Sequence, residues 1–109
     1  VAMERTPIGE TETTPELRSR LNAIAAERLV DLMPRLVEGA VDTTEQDESL
    51  ATHCGKMTKE DGEIRLSHSG ILNYRKFRAY VPWPGIYTFF SRNGKTIRTI
   101  ITKAHMEGS

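Results

Sequence analysis

Between Arg65 and Met106 the chain carries eight basic side chains, Arg65, Arg75, Lys76, Arg78, Arg92, Lys95, Arg98 and Lys103, and not one Asp or Glu. Guanidinium and ammonium groups in a one-signed field of that extent suit a polyanionic partner, and phosphate is the commonest form of one. A solvated basic face with no ligand is the plain alternative, since Lys and Arg must lie on some surface. Other chemistry is sparse. Cys54 has no second cysteine to bridge, and His53 beside it brings a metal to two ligands at most, so the thiol reads as buried or idle and no metal site is assigned.

The charge is segregated along the chain. Residues 1–50 hold 5 Lys/Arg against 11 Asp/Glu and residues 51–109 hold 10 against 4, leaving −6 and +6 in a chain whose formal net charge is zero. A length of 109 residues with 38% hydrophobic content fits one ordinary domain with a modest core. No run approaches the roughly 18 apolar residues of a membrane helix, and "VAMERTPIGE" lacks the charged-then-apolar pattern of a secretion signal. A cytoplasmic chain without membrane contact is the expectation.

The elements that must hold these cations can be read in order. "MERTPI" resembles the end of a strand, stopped by Pro7 and Gly9. In "TTPELRSRLNAIAAERLVDLMPRLVEG", Thr13 or Thr14 is an N-cap, Pro15 sits in the first turn and Glu16 can reach back. Leu17, Leu21, Ile24, Ala25, Leu29, Leu32 and Leu36 form one apolar stripe that must pack on something. Pro34 predicts a stop or kink near Met33, with Gly39 closing the final turn.

Residues 40–49, "AVDTTEQDES", are acidic and aperiodic, as a linker is. A turn at Asp61 and Gly62 leads into a brief extended piece. Ser67 or Ser69 caps a second helix on which Ile71, Tyr74, Phe77 and Val81 share a face, with Arg75, Lys76 and Arg78 on its flanks and back. Pro82 ends that helix, and "PWPG" reads as a packing corner in which Trp83 covers the core while Pro84 and Gly85 turn the chain. Strands near 86–91 and 96–102 flank Asn93 and Gly94, the favoured pair for a tight hairpin.

The segments "QDES" (46–49), "AT" (51–52), "KMTKEDGEI" (56–64), "FRAYVPWPGIYT" (77–88) and "NGKTIRT" (93–99), in that order and at those intervals, resemble the junction and C-terminal domain of bacterial methionyl-tRNA formyltransferases. Upstream, "TPIGETETTPELRSRLNAIAAERLVDLMPRLVEG" is similar to the last strand and last long helix of that family's catalytic domain. The Arg-Ala-aromatic-x-Pro-Trp-Pro-Gly segment is the specific motif; the capped amphipathic helix alone is weak. "EIRLS" departs from the family's usual Ile-Asp-Trp-Ser, and Asn73 stands where an aliphatic residue is more usual, which weakens the helix's apolar contact.

The resemblance implies an α+β chain. Residues 1–39 would be the closing strand and long helix of a Rossmann-like formyltransferase domain, 40–49 a linker, and 50–109 a helix plus hairpin from part of an OB-like β-barrel. It implies transfer of a formyl group from 10-formyltetrahydrofolate, a cosubstrate of the full family enzyme that this chain does not itself bind, to the methionine amino group of initiator tRNA. The family's catalytic Asn, His and Asp lie in segments upstream of residue 1. None of His53, His68 or His105 stands in a matching context, so no residue here is assigned a catalytic role.

The partners implied are initiator tRNA and the remainder of the formyltransferase chain. Lys56, Lys59, Arg75, Lys76, Arg78, Arg92, Lys95 and Arg98 would contact the sugar–phosphate backbone, contacts that position rather than specify. Such a piece reads as a fragment that would not act alone, and a partial barrel leaves unpaired strand edges that invite self-association. Gly108 and Ser109 are set aside from fold reasoning. Two alternatives stay open: a segment of a sugar-nucleotide formyltransferase, which would recognise a compact diphosphate, and a free-standing basic module that binds RNA or protein.

Overall fold

The computed structural model describes residues 1–107, so the reading of Gly108 and Ser109 lies outside the described residues. The chain is α+β: helix α1 (Thr14–Val37), helix α2 (Gly70–Tyr80) and an antiparallel hairpin of β1 (Ile86–Arg92) and β2 (Lys95–Ile101). Single 3-10 turns occupy Glu48–Leu50 and Glu60–Gly62.

Helix α1 begins at its expected cap. The Thr13 amide and hydroxyl both donate to Oε2 of Glu16 at 2.8 Å, and Leu17 N donates to Thr13 O at 2.9 Å. Pro34 does not stop the helix, which continues to Val37. It lies in the last turn, where its missing amide leaves one carbonyl, that of Val30, without its helical donor. The chain then closes through Ala40 N to Arg35 O at 2.8 Å and Gly39 N to Leu36 O at 3.1 Å.

The expected strand end at "MERTPI" is corrected: residues 1–9 have no ladder partner. A strand requires an edge beside it, and this segment lies instead against α1. Arg28 Nη2 pairs with Glu4 at 2.6 Å, while Arg20 donates to Thr6 Oγ1 and, at 2.8 Å, to Pro7 O. No residue of α1 is buried. Leu17, Ile24 and Leu32 of the stripe are half-buried, whereas Leu21, Leu29 and Leu36 are exposed.

In the second half, Ser69 caps α2 with its hydroxyl accepting from Leu72 N at 3.5 Å, and the helix ends before Pro82. The next four residues turn, closed by Gly85 N to Tyr80 O at 2.9 Å. The 3-10 turn at 60–62 presses against this corner so closely that a Cβ on Gly62 would lie 2.4 Å from Gly85 O. Ile64 N then donates to Tyr87 O at 2.8 Å, beside a parallel bridge from Glu63 to Tyr87. Ile64, Ile86, Tyr87 and Thr88 form the small buried core. Trp83 is not part of it. The indole is 55% exposed, because the corner is closed by backbone contacts at Gly62, Tyr80 and Gly85 and leaves the ring outside.

The hairpin register runs from Ile86 opposite Ile101 to Arg92 opposite Lys95. Asn93 (φ 53) and Gly94 (φ 71) supply the two positive φ angles that a two-residue turn matched to strand twist requires. The radius of gyration is 20.0 Å and the extents are 71 × 29 × 25 Å. A compact domain of 100 residues has a radius near 13 Å, so the molecule is elongated and most of its apolar area cannot meet a common centre.

Candidate nucleic-acid interface

Of the eight predicted contact residues, six are exposed, and five of these, all but Arg98, have no side-chain hydrogen-bond, ion-pair or cation–π partner among the described residues. Lys56 and Lys59 flank a loop held by Asp61, whose Oδ2 accepts from Thr58 N at 2.7 Å and from its hydroxyl at 3.2 Å. Arg75 projects from α2, and Arg92 and Lys95 face each other next to the hairpin turn. None of the eight lies within 4.0 Å of a carboxylate among the described residues, where the ion pairs are Arg20–Glu12, Arg28–Glu4 and His105–Glu107. None of these charges is therefore neutralised by a carboxylate of the described residues.

The other three are engaged within the chain. Lys76 Nζ donates to Glu63 O at 2.8 Å and lies 5.6 Å from the centre of the Tyr80 ring, bridging α2 to the segment that pairs with β1. Arg98 Cζ sits 3.9 Å from the Tyr87 ring centre, a cation–π stack on a buried tyrosine. Strand alternation puts Arg98 on the face of Tyr87 and Phe89, and Arg92 with Lys95 on the opposite face with Phe90 and Ile97. The hairpin cations thus serve two surfaces rather than one.

Arg78 points away from solvent. Its Nη1 donates to Gly9 O at 2.6 Å and to Glu12 O at 3.1 Å, its Cζ lies 5.5 Å from the Tyr74 ring centre, and its Nε is buried without an acceptor. Next to it, the Thr14 hydroxyl donates to Ala79 O at 2.7 Å. The 9–12 loop that receives Arg78 is itself organised: Glu12 takes Arg20 Nε and Nη2 at 2.8 and 2.7 Å and Gly9 N at 3.0 Å. These contacts, the Arg20 hydrogen bond first and the Gly9 amide second, hold the Glu12 carboxyl at about 2 against an ordinary 4.5. Glu16 is likewise held below the usual carboxylate range by the Thr13 amide and then its hydroxyl.

Sequence reasoning missed Glu12, Thr14 and Arg20 as partners of the basic module, because contacts across 65 to 69 positions leave no local spacing signal. It also misjudged Asn73, whose Nδ2 donates to Arg65 O at 2.9 Å and so fastens the turn before α2 to the helix. Cys54 is exposed, and among the described residues no three His, Cys, Asp or Glu side chains gather to hold a metal ion. Among the described residues, no helix is long and apolar enough to cross a membrane.

Comparison with known proteins gives these surfaces a context. Residues 56–108 match the family described as formyl transferase, C-terminal domain. The methionyl-tRNA formyltransferase of Treponema pallidum (strain Nichols) is 37% identical over 89 residues, 82% of this chain and 28% of the relative. That of Sorangium cellulosum (strain So ce56) is 37% identical over 106 residues, 97% of this chain and 33% of the relative. That of Chloroflexus aurantiacus (strain J-10-fl) is 40% identical over 90 residues, 83% and 28% respectively. The chain spans a third or less of the length of these curated relatives.

Proposed function

From residues 56–108, which belong to the formyl transferase C-terminal domain family, we propose that the chain is the tRNA-engaging part of a methionyl-tRNA formyltransferase, an enzyme of the cytoplasm. Residues 1–39 are the closing segment and last long helix of its Rossmann-like catalytic domain, 40–49 the linker, and 50–109 part of an OB-like domain. Formyl transfer from 10-formyltetrahydrofolate belongs to residues outside 1–109; the residues here hold the initiator tRNA. Lys56, Lys59, Arg75, Arg92 and Lys95 meet its sugar–phosphate backbone, with Lys76 and Arg98 supporting the surface from which they project.

The observation that carries this reading is that these five predicted contact residues are exposed and without an internal partner among the described residues, all at or beyond residue 56. Each neutralised phosphate releases counterions, so five contacts give a slope of log K against log salt of roughly −4. Filter binding of initiator tRNA between 50 and 200 mM salt tests this. Affinity that does not change with salt, or no binding at all, rejects the proposal.

A further inference from the structure

Three side-chain hydrogen bonds join residues 1–40 to residues 56–107 among the described residues, and all three meet at the last turn of α2. They are Arg78 to Gly9 O, Arg78 to Glu12 O and Thr14 to Ala79 O. We propose that Arg78 is a positioning residue and not an RNA contact: its guanidinium clasps the 9–12 loop and so sets the direction in which the cations of α2 and the hairpin face relative to α1. The role toward RNA rests on the reading just given; the clasp itself rests on the geometry.

Three features argue for it. The receiving loop is preformed, since Arg20 and the Gly9 amide hold the Glu12 side chain while Glu12 N closes the turn onto Gly9 O at 3.2 Å, leaving both carbonyls aimed at α2. One nitrogen, Nη1, donates to both carbonyls, while the planar guanidinium lies 5.5 Å from the centre of the tyrosine ring one helical turn away, so a single head ties the loop to the helix. The residue is half-buried with its Nε buried, and its Nη1 is already engaged by two carbonyls of the junction. Arg75, one turn earlier on the same helix, is exposed and has no such partner, so neighbouring arginines of one motif divide the work.

The test uses the chain with Cys54→Ser and a spin-label pair at Glu27→Cys on α1 and Thr96→Cys on β2, both exposed positions. Pulsed dipolar spectroscopy gives the distance distribution, and filter binding of transcribed initiator tRNA gives the salt slope. With R78A or R78K the distribution broadens, and the binding line shifts to weaker affinity at every salt concentration with its slope unchanged. With R75A the distribution stays as it was and the slope becomes shallower by about one contact. Circular dichroism shows whether α2 persists, and R78K, which keeps the charge, serves if R78A loses the helix. An unchanged distance distribution in both Arg78 variants overturns the clasp, as does a slope change in them equal to that of R75A. Absence of RNA binding by the chain with Arg78 and Arg75 intact overturns the RNA reading, while the distance arm still decides the clasp.

Discussion

Arg20 holds Glu12 with two arms of its guanidinium, Nε on Oε1 at 2.8 Å and Nη2 on Oε2 at 2.7 Å. This paired contact, reaching from α1 back to the residue before its cap, fixes the loop on which the two halves of the molecule meet. The carboxylate also takes the Gly9 amide, so the charge is shared between a cation and the backbone that it shapes.

The first prediction concerns pH. Glu12 titrates at about 2 rather than 4.5. A depressed carboxyl stabilises the folded arrangement fully above the ordinary value and loses that contribution as pH falls through the folded one. The Arg20 Nε–H resonance should hold constant from pH 7 down through 4.5 and move in a transition centred at about 2. E12Q should abolish that movement. A transition centred near 4.5 in the unaltered chain would contradict the assignment.

The second concerns the corner. Gly62→Ala places a methyl 2.4 Å from Gly85 O, which is backbone and cannot swing aside. Urea unfolding should show a loss of about 1–3 kcal/mol, the usual cost of forcing atoms into a packed site. Ala at Gly55, where nothing lies within 4 Å of the added carbon, should leave the midpoint where it is.

The third concerns the hairpin. Gly94→Ala keeps an L-residue at φ 71 and should cost about 1–2 kcal/mol. Amide exchange across the Arg92–Lys95 pair should quicken first, since that hydrogen-bonded pair closes the turn.

The fourth concerns association. β2 has β1 on one side and no strand on the other among the described residues, and Ile97 and Ile100 are exposed on opposite faces. Unpaired edges with apolar flanks recruit further strands. Sedimentation velocity should show self-association rising with concentration, and I100K should shift the population toward monomer; a monomer at every concentration would refute this.

How much of this was legible depends on the range of each contact. The Thr13–Glu16 cap, the Ser69 cap, the break at Pro82 and the Asn93–Gly94 turn lie within a few residues, and each appears where the local chemistry puts it. Pro34 was overread because the rule for a helix interior does not carry its full weight in a last turn, where few bonds remain to lose. Trp83 was overread because a large aromatic between prolines suggests burial, whereas the corner closes through backbone contacts at Gly62, Tyr80 and Gly85 and Trp83 stays 55% exposed. Among the candidate cations, residue type and number were readable from composition. That Arg78 faces inward while Arg75 faces water depends on Gly9 and Glu12, more than sixty residues away.

Helix α1 is 24 residues long, about 36 Å at 1.5 Å per residue, and its hydrogen bond to α2 is made at its first residue, Thr14, beside the 9–12 loop that Arg78 also holds. It is therefore a lever with its fulcrum at one end. A rotation of roughly 5° at that fulcrum carries the far end through about 3 Å, the full reach of a hydrogen bond. Angular play too small to disturb any single contact at the junction is enough to bring a group at the other end into register or out of it.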